Sequence, residues 1–275
     1  MRRLQGRHRG EAMEYLRAGL PEDLLLFDLL QPQPAEAAPR IESRAFAAWR
    51  GDAVAGLVLT HPTVILDSRV DGDVLDALCG PLESIESGLI KTSITQAESA
   101  WKRMRARGRR AHLDRTETGF WLRSRGGPEP ELPPGSSVRA ARLDDLGVLV
   151  GAAKASLREE GRPDPSIADP RGFREWVAGR MPRARVIEHR GEVAFVGYAD
   201  VRRPEGWLIQ GVYTMPDLRR RGFAAAGMKA LIDQAFAAGA DHVQLTAIDG
   251  NRAALRLYEA LGFEIYGQMR TILFS

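Results

Sequence analysis

The 275-residue chain has a single cysteine, Cys79. A disulfide within the chain needs two cysteines and a thiolate metal cluster needs more, so both are excluded. The surrounding LDALCGPL is apolar, which predicts a buried, inert thiol rather than a nucleophile. Lysine is nearly missing, since all but four of the 39 basic residues are arginine, and net charge is only +3. A GC-rich genome produces such a bias, so arginine abundance alone does not indicate a nucleic-acid partner; binders of nucleic acid concentrate charge on one face. No apolar run approaches a membrane span, and the basic start MRRLQGRHRG lacks the apolar stretch of a signal peptide. These absences predict a cytoplasmic chain with no membrane partner. The five histidines show no ligand spacing, so no metal is expected. What is present is a hydrophobic fraction of 44%, typical of a globular protein and enough for one large domain or two ordinary ones.

One segment has linker composition: Arg125 to Ser137, RGGPEPELPPGSS. It sets the expected domains at 1–124 and 138–275. The second is the more legible. Val138-Arg139-Ala140 predicts a short strand, followed by helices over Leu143–Glu159 and around Phe173–Met181. RVIEHRGEVAFVGYADV predicts a hairpin turning at Arg190-Gly191, and GWLIQGVYTM another strand. After DLRRRGFAAAG comes a helix with apolar residues at Ala224, Met228, Leu231 and Ala235. HVQLTAI predicts a strand, NRAALRLYEALG a helix, and FEIYGQMRTILF two closing strands. In the first half, AFAAWRGDAVAGLVLTH repeats the hairpin. A shift of 154 residues lays IKTSITQAESAWKRMRARG on QLTAIDGNRAALRLYEALG without gaps, putting Thr92 on Thr246 and Gly108 on Gly262. Strand, helix and glycine recur in register, as in a diverged duplication. Between hairpin and strand this copy is about 14 residues shorter and lacks the arginine–glycine loop.

That loop carries the chemistry. A strand entering a glycine-bearing turn and then a helix offers backbone N–H groups and the positive helix end to an anion. Gly222 allows backbone conformations that a side chain obstructs, Ala224 keeps the helix start open, and arginines supply paired donors for phosphate oxygens. The bland alternative for Arg219-Arg220-Arg221 is a solvated basic face; the strand–loop–helix setting favours phosphate.

Residues 138–275 resemble the GNAT superfamily of acyltransferases. The family loop, Gln or Arg-x-x-Gly-x-Gly or Ala, is matched by Arg219, Gly222 and Ala224, and NRAALRLYEALGF resembles its later motif. VYTMPDLRRRGFA is also similar to the subgroup related to glycine N-acyltransferases. The resemblance implies an α/β (α+β) fold with a mixed, mostly antiparallel sheet flanked by helices. With a degenerate first half, it implies two such modules in tandem. It further implies acetyl-CoA as acyl donor and a small amine or peptide as acceptor, with no metal and no nucleic acid, in a monomer or a homodimer. Backbone at Val212, Tyr213 and Thr214 would bind the pantetheine arm. Arg219, Arg220, Arg221, Gly222, Phe223, Ala224 and Ala225 would form the phosphate loop, with the pyrophosphate cradled by Arg220 to Ala225. Asn251 would lie near the cofactor, or simply cap a helix. Tyr258 would protonate the departing thiolate as the amine attacks the thioester directly; the bland alternative is a packed helix tyrosine.

Some family members carry a glutamate base at the position of Thr246, which cannot serve. Gln210 stands where other members keep an acid; Asp200, Glu205, Glu188 and His189 are the nearby candidates for the base, and a water chain is an equal candidate. In the first half Asn251 corresponds to Ala97 and Tyr258 to Met104, so its expected roles are packing and shaping the acceptor cleft. EEGRPD hints at an acidic lip. Two rival readings are an acyl-CoA-binding regulator without catalysis and a nucleic-acid protein using its arginines. For the latter, the helix TQAESAWKRMRARGRR is better explained as a solvated face.

Overall fold

A computed structural model describes residues 1–31, 44–126 and 129–275. Gly127 and Pro128 of the expected linker lie outside the described residues. The first half runs β1 (Arg2–Arg3), α1 (Arg9–Arg17), α2 (Leu24–Leu30), β2 (Arg44–Arg50), β3 (Ala53–His61) and β4 (Ile65–Leu66). It continues through α3 (Gly72–Cys79), β5 (Gly88–Ser93), α4 (Ile94–Ala106) and β6 (Ala111–Leu122). The second half runs β7 (Ser136–Ala140), α5 (Leu146–Glu159), α6 (Pro170–Arg180), β8 (Ala184–His189), β9 (Glu192–Arg203) and β10 (Gly206–Thr214). It closes with α7 (Phe223–Ala237), β11 (Val243–Ile248), α8 (Arg252–Ala260) and β12 (Glu264–Phe274). Short 3-10 turns aside, both halves have the order βααβββαβαβ, so the duplication extends to β1, α1 and α2, where the sequence shows no repeat.

The chain forms two compact units. One comprises Met1–Gly119 with Thr246–Gly250 and Ile265–Ser275; the other comprises Phe120–Leu245 with Asn251–Glu264. In the first unit, β1 to β4 form one sheet in sequence order. Strand alternation divides β3 between two cores. Leu57 and Leu59 pack with Leu16 and Phe27 of α1 and α2, while Val58 packs with Leu78 and Ala97 of α3 and α4. The unit also holds β5, β12, β6 and the end of β11, in that order. Strands from the two sequence halves therefore alternate. β12 pairs antiparallel with β5 from Met269↔Ser93 to Phe274↔Gly88, and Phe274 lies 5.9 Å from Trp101 in the core. The segment expected to form two closing strands is thus one. Gly267 does not adopt a left-handed conformation, so the chain does not reverse there. Cys79 is buried as expected, and burial pushes its thiol up to about 11.

Two buried carboxyls also lie in this unit. Asp67 accepts the Leu57 amide on Oδ2 at 2.6 Å, and the Tyr15 hydroxyl and Arg69 amide on Oδ1. Asp23 is 2% exposed; its Oδ1 accepts the Ser68 amide, but its Oδ2 has no partner among the described residues. Burial, then the Asp67 charge, raises Asp23 from 3.8 to about 8. Between those values the folded chain keeps a proton that the unfolded chain has released. Its stabilisation is therefore full below about pH 4 and is lost as pH rises towards about 8. The melting temperature is expected to be lower at pH 8 than at pH 5, and Asp23→Asn should narrow the difference. Asp67, pushed the same way by burial, leaves a residual slope. Thermal denaturation at both pH values decides it, and equal slopes in the two proteins would contradict this account.

In the second unit, α5 and α6 cover one face, with Leu149, Phe173 and Val177 packed on Val186, Val196 and Tyr198. The β8–β9 hairpin turns at Arg190 and Gly191, both with positive φ, as a tight two-residue hairpin requires. β10 and β11 are parallel only at Trp207↔Val243 and Leu208↔Gln244, although β10 continues to Thr214. On its other edge β10 pairs with β9 as far as Thr214↔Phe195, with a register shift between Gln210 and Tyr213, where Gly211 has φ +60°. The end of β10 leads into the arginine loop.

Candidate active site

Gly222 ends the loop and caps α7 with φ +85°, and Arg220 is also left-handed at +60°. The first helical bond of α7 runs from the Ala226 amide to Gly222 O, 3.0 Å. The amides of Phe223, Ala224 and Ala225 precede it and have no acceptor within the helix. They face outward at the positive end of the helix dipole. Arg220 and Arg221 are exposed, with no side-chain partner among the described residues. A Cβ at Gly222 would meet only Glu131 O, at 3.8 Å, so the space before the loop is open.

The three arginines divide their work. The Arg219 guanidinium donates to both Glu159 oxygens, 2.7 and 2.9 Å, and to Thr214 O, 3.1 Å, while stacking over Tyr213. It is a strut for the loop and is not free for phosphate. Glu159 also accepts the Tyr213 hydroxyl at 2.9 Å. Burial opposes its charge, but the bonds from Arg219 and Tyr213 outweigh that and hold its carboxyl below the usual range. The acidic lip expected at EEGRPD is thereby reduced, since its first carboxylate belongs to the loop.

On β10, the Met215 amide donates to Ala194 O at 3.0 Å, so the backbone groups of Thr214 turn away from β9. Val212 lies within the register shift between Gln210 and Tyr213, so strand alternation does not set the direction of its backbone groups. The Tyr213 backbone instead faces β9, opposite Val196, and only its side chain serves the site, through Glu159. Asn251 Oδ1 accepts the Ala254 amide at 3.1 Å and caps α8. Tyr258 is 6% exposed, with its ring 5.9 Å from both Phe120 and Phe263. Burial alone pushes its phenol up to about 12, so it is protonated at neutral pH. Its hydroxyl has no hydrogen-bond partner among the described residues.

The residues weighed as bases are mostly engaged. Asp200 is held by Arg180 through Nε and Nη2, Glu188 by Arg139, and His189 Nδ1 is bonded to Ser136 Oγ at 2.8 Å. Glu205 sits in the turn before β10, and Gln210 within β10 has no acid–base capacity. In the first unit, the Thr246 hydroxyl donates to Glu117 Oε2 at 2.8 Å. Glu117 is 3% exposed. Burial opposes its charge, but Lys91 and Arg115, with the Thr246 hydroxyl, hold its pKa near 2. Sequence reading missed this carboxylate because DRTET alternates like a solvated strand. At that pKa it is a poor proton acceptor.

A left-handed glycine at a helix start, beside two exposed arginines, is compatible with an anionic ligand. Residues 152–263 match the acetyltransferase (GNAT) family. L-methionine sulfoximine/L-methionine sulfone acetyltransferases of Pseudomonas paraeruginosa and Pseudomonas aeruginosa are each 42% identical to the chain over 144 residues, 49% of this chain and 83% of theirs. The chain belongs to the GNAT acetyltransferase family. A Drosophila protein of solved structure shares the fold with TM-score 0.76 at 14% identity, covering 99% of this chain and 97% of that one. A tandem GNAT protein from the clavulanic acid biosynthesis pathway does so at 0.57 and 16%, covering 99% and 96%. The GNAT fold is thus present in tandem along the chain. GNAT enzymes use acetyl-CoA. Among the described residues no cluster could hold a metal ion, and no helix is long and apolar enough to cross a membrane.

Proposed function

We propose that the protein transfers the acetyl group of acetyl-CoA to the α-amine of an amino acid resembling methionine sulfone or methionine sulfoximine. The observation that carries this reading is the 42% identity to acetyltransferases named for those substrates. The likeness of VYTMPDLRRRGFA to the glycine N-acyltransferase subgroup favours an amino-acid amine as well. Arg220, Arg221 and the amides up to Ala225 hold the diphosphate, Gly222 aims them, and Val212 and Thr214 offer backbone groups to the pantetheine amides. Asn251 fixes the start of α8. The neutral acceptor nitrogen forms its bond to the thioester carbon as the carbon–sulfur bond breaks. Tyr258 donates its proton towards the departing sulfur, and the proton lost by the amine passes to water.

The test is CoA release from acetyl-CoA across a panel of amines, with the acetylated product identified by mass. Turnover is expected with methionine sulfone and methionine sulfoximine in preference to polyamines, aminoglycosides and lysine peptides. Turnover with one of those instead would overturn the acceptor. Tight acetyl-CoA binding with no turnover on any amine would favour the acyl-CoA-binding regulator.

A further inference from the structure

The structure assigns a task to the half that lacks the loop: we propose that Thr116, Glu117 and Thr118 of β6 are positioning residues for acetyl transfer, clamping β11 and the segment that begins α8. This rests on the proposed function. β11 leaves β10 after Gln244, and two residues later Thr246 enters a network contributed by the first half. Glu117 accepts from the Thr246 hydroxyl, Lys91 Nζ at 3.0 Å, Arg115 Nε at 3.1 Å and the Thr271 hydroxyl at 2.8 Å. Lys91 Nζ also donates to Thr246 Oγ1 at 3.2 Å, closing a triangle around it. A buried carboxylate with that many donors has a fixed direction, because turning it breaks its bonds to both cations.

Successive residues of β6 point to opposite faces. Thr116 and Thr118, flanking Glu117, both bond the Asp249 carboxylate, Thr118 to Oδ1 at 2.7 Å, and the Asp249 amide donates to Thr116 O at 3.4 Å. Asp249 precedes by two residues the Asn251 cap of α8, which carries Tyr258. Three consecutive residues of one strand thus hold both ends of a short segment. The duplicate-related threonine provides a contrast: Thr92 donates to Leu66 O at 2.7 Å, inside its own half.

The experiment compares Thr246→Val, Thr246→Ser and Thr92→Val, reading melting temperature, acetyl-CoA affinity and kcat separately. Both valine variants lose a hydroxyl bond. Thr246→Val should lower kcat roughly tenfold or more, because small misplacements of reacting groups are costly. Its acetyl-CoA affinity should stay within about threefold, and Thr246→Ser should recover kcat to within about twofold. Thr92→Val should melt earlier with kcat unchanged. Equal kcat losses in the two valine variants, or a wild-type kcat in Thr246→Val, would overturn the clamp. Should the wild type acetylate no amine, the proposed function fails, and amide hydrogen exchange over residues 251–255 still reads the clamp. Faster exchange in Thr246→Val but not in Thr92→Val supports it, and equal protection rejects it.

Discussion

Replacing Gly222 with valine should weaken acetyl-CoA binding by about 100-fold or more while leaving the protein folded. At φ +85° glycine has no steric conflict, whereas a β-branched residue there is strained by about 1–3 kcal/mol. Relaxing that strain rotates the peptide planes on either side, and those planes carry the amides of the cradle. The residue is exposed and a Cβ would have no close neighbour, so the rest of the fold need not move. Hydrogen bonds to a charged group contribute about 1.5–3 kcal/mol each. Misaiming two of them raises the dissociation constant by about 100-fold or more, at about 1.4 kcal/mol per decade. Calorimetric titration with acetyl-CoA, beside a thermal melt, checks both halves of the statement. Wild-type affinity in a folded Gly222→Val protein would remove the cradle, and the arginines would revert to a solvated face.

The strand–loop–helix was legible because its determinants are local. A strand, a glycine and an alanine-rich helix follow one another within a dozen or so residues, and each element responds to its own composition. The hairpin at Arg190-Gly191 and the cap at Asn251 were legible for the same reason. The arginine run was legible only as a group. Nothing near Arg219 in sequence says that Glu159, at the far end of α5, would take its guanidinium while Arg220 and Arg221 stay exposed. The alternation of strands from the two halves was hidden for a stronger reason. β12 has the same alternating pattern whichever neighbour it pairs with, so partner choice is not written in the segment itself. Glu117 was hidden with it, because a charged residue in a polar alternating run looks solvated until Lys91, Thr246 and Thr271 are brought around it. The first-half elements β1, α1 and α2 kept their order without recognisable sequence. The constraint on α1 and α2 is an apolar face towards β3, which many residue choices satisfy.

Tyr258→Phe should lower kcat about 100-fold and leave acetyl-CoA affinity unchanged. The ring lies among Phe120 and Phe263, and phenylalanine preserves that packing. The hydroxyl, without a partner among the described residues, contributes little to the fold, so little stability is lost with it. General acids typically contribute about 10²- to 10⁴-fold, and the phenol's acidity indicates which end applies. Burial pushes Tyr258 up to about 12, whereas an ordinary thiol titrates near about 8.5. Full proton transfer from that phenol to a free thiolate is therefore uphill by several kcal/mol. In the proposed mechanism the phenol would act mainly by hydrogen-bonding the sulfur while the carbon–sulfur bond lengthens, which places its expected effect at the lower end. The same shift fixes the pH dependence. Tyr258 loses its proton only as pH approaches about 12, so any fall in kcat between pH 8 and 10 belongs to another group. Steady-state kinetics of the variant across that range separates these statements. A kcat within about twofold of wild type would make Tyr258 a core tyrosine, since a general acid is expected to contribute far more than that.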